Sequence, residues 1–288
     1  MLQVTATPQG VAQLARFCIG HGVELVVMEA TGGYERLAFS LLWEAGVPCA
    51  IANPRQVRRF AEAMGFLEKT DRIDAGVIAE YGRVKRLVAQ SPASAEQQRL
   101  RALVGRLRQL TAQKVSQTNQ RRLVQDADVL ASFDEVLQTI RRQIRGFEAK
   151  IAELLSSDPL WLELDAAFRE IKGVADRSVA NLLAELPEIG TLSGKAIAKL
   201  VGVAPIARDS GKRSGKRYIR GGRSQVRSLL FVIASVVRRH NDDFAEFHRR
   251  LIAAGKPKIV VRIALARKLL VQLNAKARDA RNAAATPA

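Results

Sequence analysis

The sequence predicts an α/β layer followed by an all-α body. Three observations carry that reading. Short β-branched runs alternate with helically spaced segments over residues 10–52. From Gln97 to about Leu155 the apolar spacing is helical, with no Pro and almost no Gly. Beyond Pro159 short helical segments alternate with Gly-marked turns.

Val11, Leu14 and Ala15 stand at helical spacing between Gly10 and Phe17, and Gly20 and Gly22 end that helix. Leu25 to Met28 reads as a strand, Leu41 to Glu44 closes a second helix before Gly46, and Val47 to Ala52 reads as a strand up to the Asn53-Pro54 break. The alternation predicts a parallel strand pair. Leu100, Leu103, Val104, Leu107 and Leu110, then Val136, Ile140, Ile144, Phe147, Ile151, Leu154 and Leu155, predict two helices packed as a hairpin or coiled coil. Ser156 to Pro159 supplies a cap and a linker, and short helices run on to Leu200. Residues 202–222 read as a loop, and helices follow at about 224–239 and 257–274 before a frayed tail from Asn282. The regions expected are thus 1–95, 96–160 and 161–288.

Forty-six Lys and Arg against 28 Asp and Glu leave a formal charge of +18. That excess points to a polyanionic partner. No apolar run approaches the roughly 18 residues of a membrane span and no signal peptide opens the chain, so nucleic acid is favoured over lipid, in a cytoplasmic setting. Cys18 and Cys49 sit in apolar surroundings as reduced core residues, and His21, His240 and His248 form no zinc-spaced pair. Between Gln97 and Gln125 there is no acidic residue, while Arg99, Arg101, Arg106, Arg108, Lys114, Arg121 and Arg122 are present. This stretch is either a solvated helix face or a face for RNA or DNA backbone.

Ile171 to Leu186, IKGVADRSVANLLAEL, resembles a helix-hairpin-helix unit in which Gly173 opens the turn. Such a turn lets backbone amides and a helix N-terminus approach phosphate. An ordinary helical hairpin is the alternative. Residues 204–227, APIARDSGKRSGKRYIRGGRSQVR, hold eight basic residues and one acid, Asp209. Lys212, Arg213, Lys216, Arg217, Arg220, Arg223 and Arg227 of this segment, together with Gly173, are the candidate nucleic-acid contacts. Ser210 lies on a turn between Asp209 and Gly211, where nearby cations could stabilise a phosphorane-like transition state; Ser214, Ser224 and Ser228 compete for a nucleophilic role.

A carboxylate set lies in the first region. Glu29 follows a strand, at the edge where α/β sites form, and Asp71 and Asp74 stand three apart at a helix start. Together they could hold Mg²⁺ and activate water or a hydroxyl, or Asp71 and Asp74 could be first-turn acids favoured by the helix dipole.

In order, MEATGGYE, KTDRIDA, IKGV, VGVAP, DSGK and IRGG resemble the transposases of the IS110 family, including its IS1111 branch, over nearly the whole chain. The resemblance implies a RuvC-like DEDD domain of RNase H type, a coiled-coil hairpin and a helical transposase domain with a helix-hairpin-helix and a serine nucleophile. It implies Glu29, Asp71 and Asp74 as three of four acidic positions and Ser210 as the serine. It further implies a protein–DNA ester, a site composed from different subunits of a dimer or tetramer, Mg²⁺, and a bridge RNA that pairs with donor and target DNA. Family members open with a GIDVSK-type strand bearing the first Asp, and this sequence starts after it. The reading is therefore an incomplete RNase H fold with an unpaired strand edge. Three accounts stay open: a recombinase whose start lies further upstream, a decayed element, or a short form that binds nucleic acid without cutting. A metal-dependent junction nuclease that uses the carboxylates alone is a further alternative.

Overall fold

The computed structural model describes residues 2–66, 68, 71–211 and 215–285, and it divides into two units, Met1–Ser94 and Ala95–Ala288.

In the first unit, Pro8 starts α1 (Pro8–Gly20), and the Thr7 hydroxyl accepts from the Gly10 amide at 3.2 Å. There follow β1 (Val26–Glu29), α2 (Glu35–Glu44), β2 (Cys49–Ala52), α3 (Pro54–Ala63) and α4 (Asp71–Lys85). Asn53 and Pro54 repeat the cap at α3, where the Asn53 side-chain oxygen accepts from the Arg55 amide at 3.0 Å.

The two strands pair in parallel, from Val26 opposite Cys49 to Glu29 opposite Ala52. Among the described residues β1 pairs with β2 alone. The strand period of two then divides the core. Val26, Met28, Cys49 and Ile51 join α1 and α2 around Val11, Phe39 and Leu42. Val27 and Ala52 turn the other way, onto Val57, Ala61, Val77 and Tyr81 of α3 and α4. Gly82 allows α4 to close on β1, since a Cβ there would lie 2.7 Å from Val27 Cγ2. Cys18 and Cys49 are buried free thiols, and burial, with Cys18 beside it, pushes Cys49 up to about 11.

The second unit holds α5 (Ala95–Arg121), α6 (Ala127–Ser157), α7 (Pro159–Arg169), α8 (Asp176–Glu185), α9 (Gly194–Val201), α10 (Ser224–His240), α11 (Asp242–Ala253) and α12 (Lys258–Ala285). A single core runs from Leu100 and Leu107 of α5 through Leu164 and Leu182 to Leu230 and Leu269. The α5–α6 hairpin and the later helices therefore share their apolar interior.

Leu137 enters the core while Val136 is 42% exposed, a shift of one position on the helix face. A helix that the sequence spacing did not predict, α11, is capped by Asn241, whose side chain accepts from the Phe244 amide at 3.4 Å. The Asn241-Asp242-Asp243 start, acids in a first turn, was the available cue. The last helix extends to Ala285, past both the expected end at 274 and the expected frayed start at Asn282. No helix among the described residues is long and apolar enough to cross a membrane.

Candidate active site

The serine loop is built on two glycines. Gly202 ends α9 in the left-handed region at φ 81°, and Gly222 leads into α10 at φ 71°. A Cβ on Gly222 would lie 2.4 Å from the Gly202 amide nitrogen, and one on Gly202 would lie 2.2 Å from the Gly221 carbonyl oxygen. Backbone meets backbone here, so the sequence needs glycine at both ends of the loop.

Arginines fasten the same base. Arg227 donates through Nη1 to the Gly221 carbonyl at 2.6 Å and to that of Val201 at 3.4 Å. Arg223 donates to both Glu188 carboxylate oxygens, at 2.6 and 2.5 Å, and to the Glu185 carbonyl at 2.9 Å. Burial alone would raise the Glu188 pKa, but the Arg223 hydrogen bonds, a bond from its own backbone amide and the charges of Arg223 and Arg101 together outweigh it and hold the carboxyl below its usual range.

Above this base the chain forms an antiparallel bridge between Ile206 and Tyr218, with the Ile206 amide donating to the Tyr218 carbonyl at 2.9 Å. The Asp209 carboxylate accepts from the Gly215 amide at 3.1 Å and stands 3.6 Å from Arg217. Ser210 follows Asp209 and is exposed, as are Arg208, Lys216, Arg217 and Arg220. Lys212 and Arg213, with Ser214, lie outside the described residues. Of the expected phosphate contacts, Arg223 and Arg227 are thus committed to the fold, while Lys216, Arg217 and Arg220 face solvent.

Gly173 has a structural use as well. At φ 102° it turns the chain between α7 and α8, and a Cβ there would meet the Val237 Cα of α10 at 3.0 Å. The turn packs on α10. At the start of α8, Asp176 is paired with Arg169 at 2.5 Å.

On α5 the basic stretch divides similarly. Arg101 donates to the Ala184 carbonyl at 2.9 Å, Arg108 pairs with Glu185 at 3.1 Å, and Arg121 pairs with Asp134 at 2.8 Å. Arg99 and Arg122 are exposed.

The acidic residues lie in the first unit. Strand alternation puts Glu29 on the face of Val27, which packs against α3 and α4. Glu29 and Asp74 accordingly line one cavity of about 450 Å³. Asp71 begins α4, three residues before Asp74, and its side chain lies outside the described ones. Among the described residues no three His, Cys, Asp or Glu side chains come together as a metal set. The oxygen-only chemistry of Glu29 and Asp74 suits a hard cation such as Mg²⁺.

Beyond the predicted acids, further charged side chains lie around Glu29: three arginines in the cavity and a glutamate at the turn after Glu29. Arg55, Arg58 and Arg59 of α3 line the cavity, and Asn53-Pro54 starting a helix directly after a strand was the cue. Glu35 holds the turn that follows Glu29. Its Oε2 accepts from the Gly33 amide at 2.8 Å, the Thr31 amide at 3.0 Å and the Thr31 hydroxyl at 3.2 Å. Partial burial opposes ionisation of Glu35, but those hydrogen bonds together hold its pKa below the usual range.

Residues 2–127 match a family described as Transposase, of the DEDD type of IS110 elements, and residues 165–249 match the Transposase IS116/IS110/IS902 family. The chain belongs to the IS110 family of transposases. Both matched segments contain a candidate site: Glu29, Asp71 and Asp74 in one, Ser210 in the other. This IS110-family chain is also 26% identical over 250 residues to the "Pilin gene-inverting protein" of Moraxella bovis, covering 85% of this chain and 77% of that protein. The protein of the same description from Moraxella lacunata is likewise 26% identical over 250 residues.

Proposed function

We propose that this IS110-family protein is a DNA recombinase that exchanges strands through a serine–DNA ester. The observation that carries the proposal is the exposure of Ser210 on a loop rimmed by Arg208, Lys216 and Arg220 and fixed at its base by Gly202 and Gly222. The Ser210 oxygen attacks a DNA phosphorus, gives up its proton, and displaces a DNA hydroxyl; attack by the hydroxyl of another strand reverses the ester and reseals the backbone. The exposed cations offset the charge that develops on the phosphate oxygens. The name of the Moraxella relatives, which describes inversion of a gene, supports rejoining of strands over simple cleavage.

Glu29, Asp71 and Asp74 are the residues that would hold Mg²⁺, which when bound supplies Lewis-acid stabilisation of phosphate oxygens. Glu35 fixes the turn after Glu29, and Arg55, Arg58 and Arg59 bring positive charge to the same cavity. A structured guide RNA is the proposed partner of the acid-free stretch 97–125, in a homo-oligomer acting in the cytoplasm.

The test is a denaturing gel of the full chain with labelled substrate DNA and its cognate RNA. A covalent protein–DNA band is expected for the parent and none for Ser210→Ala. Cleavage that survives Ser210→Ala but disappears in Asp71→Asn would replace the serine mechanism with a carboxylate nuclease. Salt-sensitive binding with no product would leave a nucleic-acid-binding protein.

A further inference from the structure

The serine loop is a two-armed ribbon whose register can be followed toward its tip. Ile206 stands opposite Tyr218, and its amide donates to the Tyr218 carbonyl at 2.9 Å. The same antiparallel register sets Arg208 opposite Lys216 and Asp209 opposite Gly215. The Gly215 amide donates to the Asp209 carboxylate at 3.1 Å, in keeping with it. A Cβ on Gly215 would lie 2.3 Å from the Arg208 carbonyl oxygen, so the two arms run close at this rung.

Side chains alternate in direction along such arms. One face then carries Ile206, Arg208 and Ser210 from the first arm, with Tyr218 and Lys216 from the second. The other face carries Asp209 and Arg217, which stand 3.6 Å apart as an ion pair. Arg208 and Lys216 are exposed on the serine's face, and below them Tyr218 is 56% and Ile206 46% exposed. Single exposed apolar residues are ordinary on a protein surface. Here an aromatic and a branched side chain form one rung, a pair of cations the next, and the serine follows. From Ile206 to Ser210 is about 13 Å at roughly 3.3 Å per residue, close to four base steps at the 3.4 Å spacing of one DNA strand. An aromatic ring beside a track of cations is the combination that holds a single nucleic-acid strand, with cations on phosphates and the ring stacked on a base. Within an intact duplex both faces of a base are covered by its neighbours, so a ring stacks there only where the strand is opened.

We propose that Tyr218 is a base-stacking residue. Its ring, beside Ile206, takes one opened base of the DNA strand whose phosphates run past Arg208 and Lys216 to Ser210. The inference rests on the serine loop being the DNA-contacting segment of the proposed recombinase, and it names the substrate at that loop as a locally unpaired strand.

The experiment is a fluorescence-anisotropy titration of the full chain at fixed ionic strength with oligothymidylate, an abasic oligodeoxynucleotide and a DNA duplex, all of one length. Tyr218→Ala and Tyr218→Leu are each expected to weaken oligothymidylate binding about fivefold or more, the loss of one base–aromatic stack. Tyr218→Phe keeps the ring and should stay within about twofold of the parent. The abasic strand and the duplex keep their phosphates, and their affinities should change less than about twofold in all three variants. The melting temperature should hold, because Tyr218 joins the ribbon through its backbone carbonyl. No binding of oligothymidylate by the parent, affinity unchanged in Tyr218→Ala and Tyr218→Leu, or equal losses on the thymidine and abasic strands would each overturn the proposal. Unchanged affinity with a smaller mass by light scattering would overturn it in favour of a contact between copies of the chain. Binding is read without strand exchange, so absence of a protein–DNA ester would remove the serine mechanism and leave the stacking result standing.

Discussion

Gly202 and Gly222 lie back to back at the base of the serine loop, so close that a Cβ on Gly222 would come within 2.4 Å of the Gly202 nitrogen. They join α9 to α10 and set where the chain between them emerges. The loop that presents Ser210 is anchored here by close backbone contact, which the Arg227 guanidinium reinforces at the Gly221 carbonyl.

Gly222→Ala is therefore expected to cost about 2–4 kcal/mol, from the clash and from a positive φ of 71°. Urea denaturation of the two proteins measures it. Gly211→Ala has open space around its Cβ and meets only the φ of 54°, so its cost should stay near 1 kcal/mol.

The Arg223–Glu188 pair should make stability depend on pH. The folded pKa of Glu188 is lowered, so its contribution is present above the ordinary glutamate value of 4.5 and is lost as pH falls through the folded value. Urea midpoints measured downward from pH 5.5, a value about one unit above that of an ordinary glutamate, should fall more steeply for the parent than for Glu188→Gln. Because both side chains are about a third exposed, 33% and 35%, the pair should contribute only about 1 kcal/mol at neutral pH.

Binding to double-stranded DNA should report how the arginines are divided. If all eight basic residues of 204–227 met phosphate, the loop would contribute a slope of about −7 in log affinity against log salt. With Arg223 and Arg227 committed to the base, about −5 is expected from the loop. Lys216→Ala and Arg220→Ala should each remove about 0.9 from the slope with little change in stability. Arg227→Ala should do the reverse, lowering the urea midpoint and leaving the slope in place.

Asn274 on α12 is 1% exposed and holds the segment between α8 and α9. It accepts from the Gly190 amide at 2.9 Å and donates to the Leu192 carbonyl at 2.9 Å. Asn274→Leu leaves the Gly190 amide without its partner, while the Leu192 carbonyl keeps the Arg278 guanidinium at 2.8 Å, and should cost about 1–3 kcal/mol, read from thermal or urea unfolding. Asn274→Asp keeps the acceptor and loses the donor, so its cost at neutral pH combines a buried charge with one broken bond.

Much of this protein was legible from its sequence because the information was local. Strand alternation in Val26 to Glu29, helical spacing from Leu100 to Leu110, and caps such as Asn53-Pro54 act within a few residues, and they determined the fold class and its order. The ordered motifs led to the IS110 family, and the charge of +18 pointed to a polyanion, both independent of any contact. Only the tertiary structure decided which charges are available. Arg223 finds Glu188 35 positions away, Arg101 finds Ala184 83 positions away, and Gly173 packs on Val237. A basic residue reads the same in sequence whether it faces phosphate or closes a loop. The difference lies in where a distant carbonyl or carboxylate falls, and packing alone fixes that.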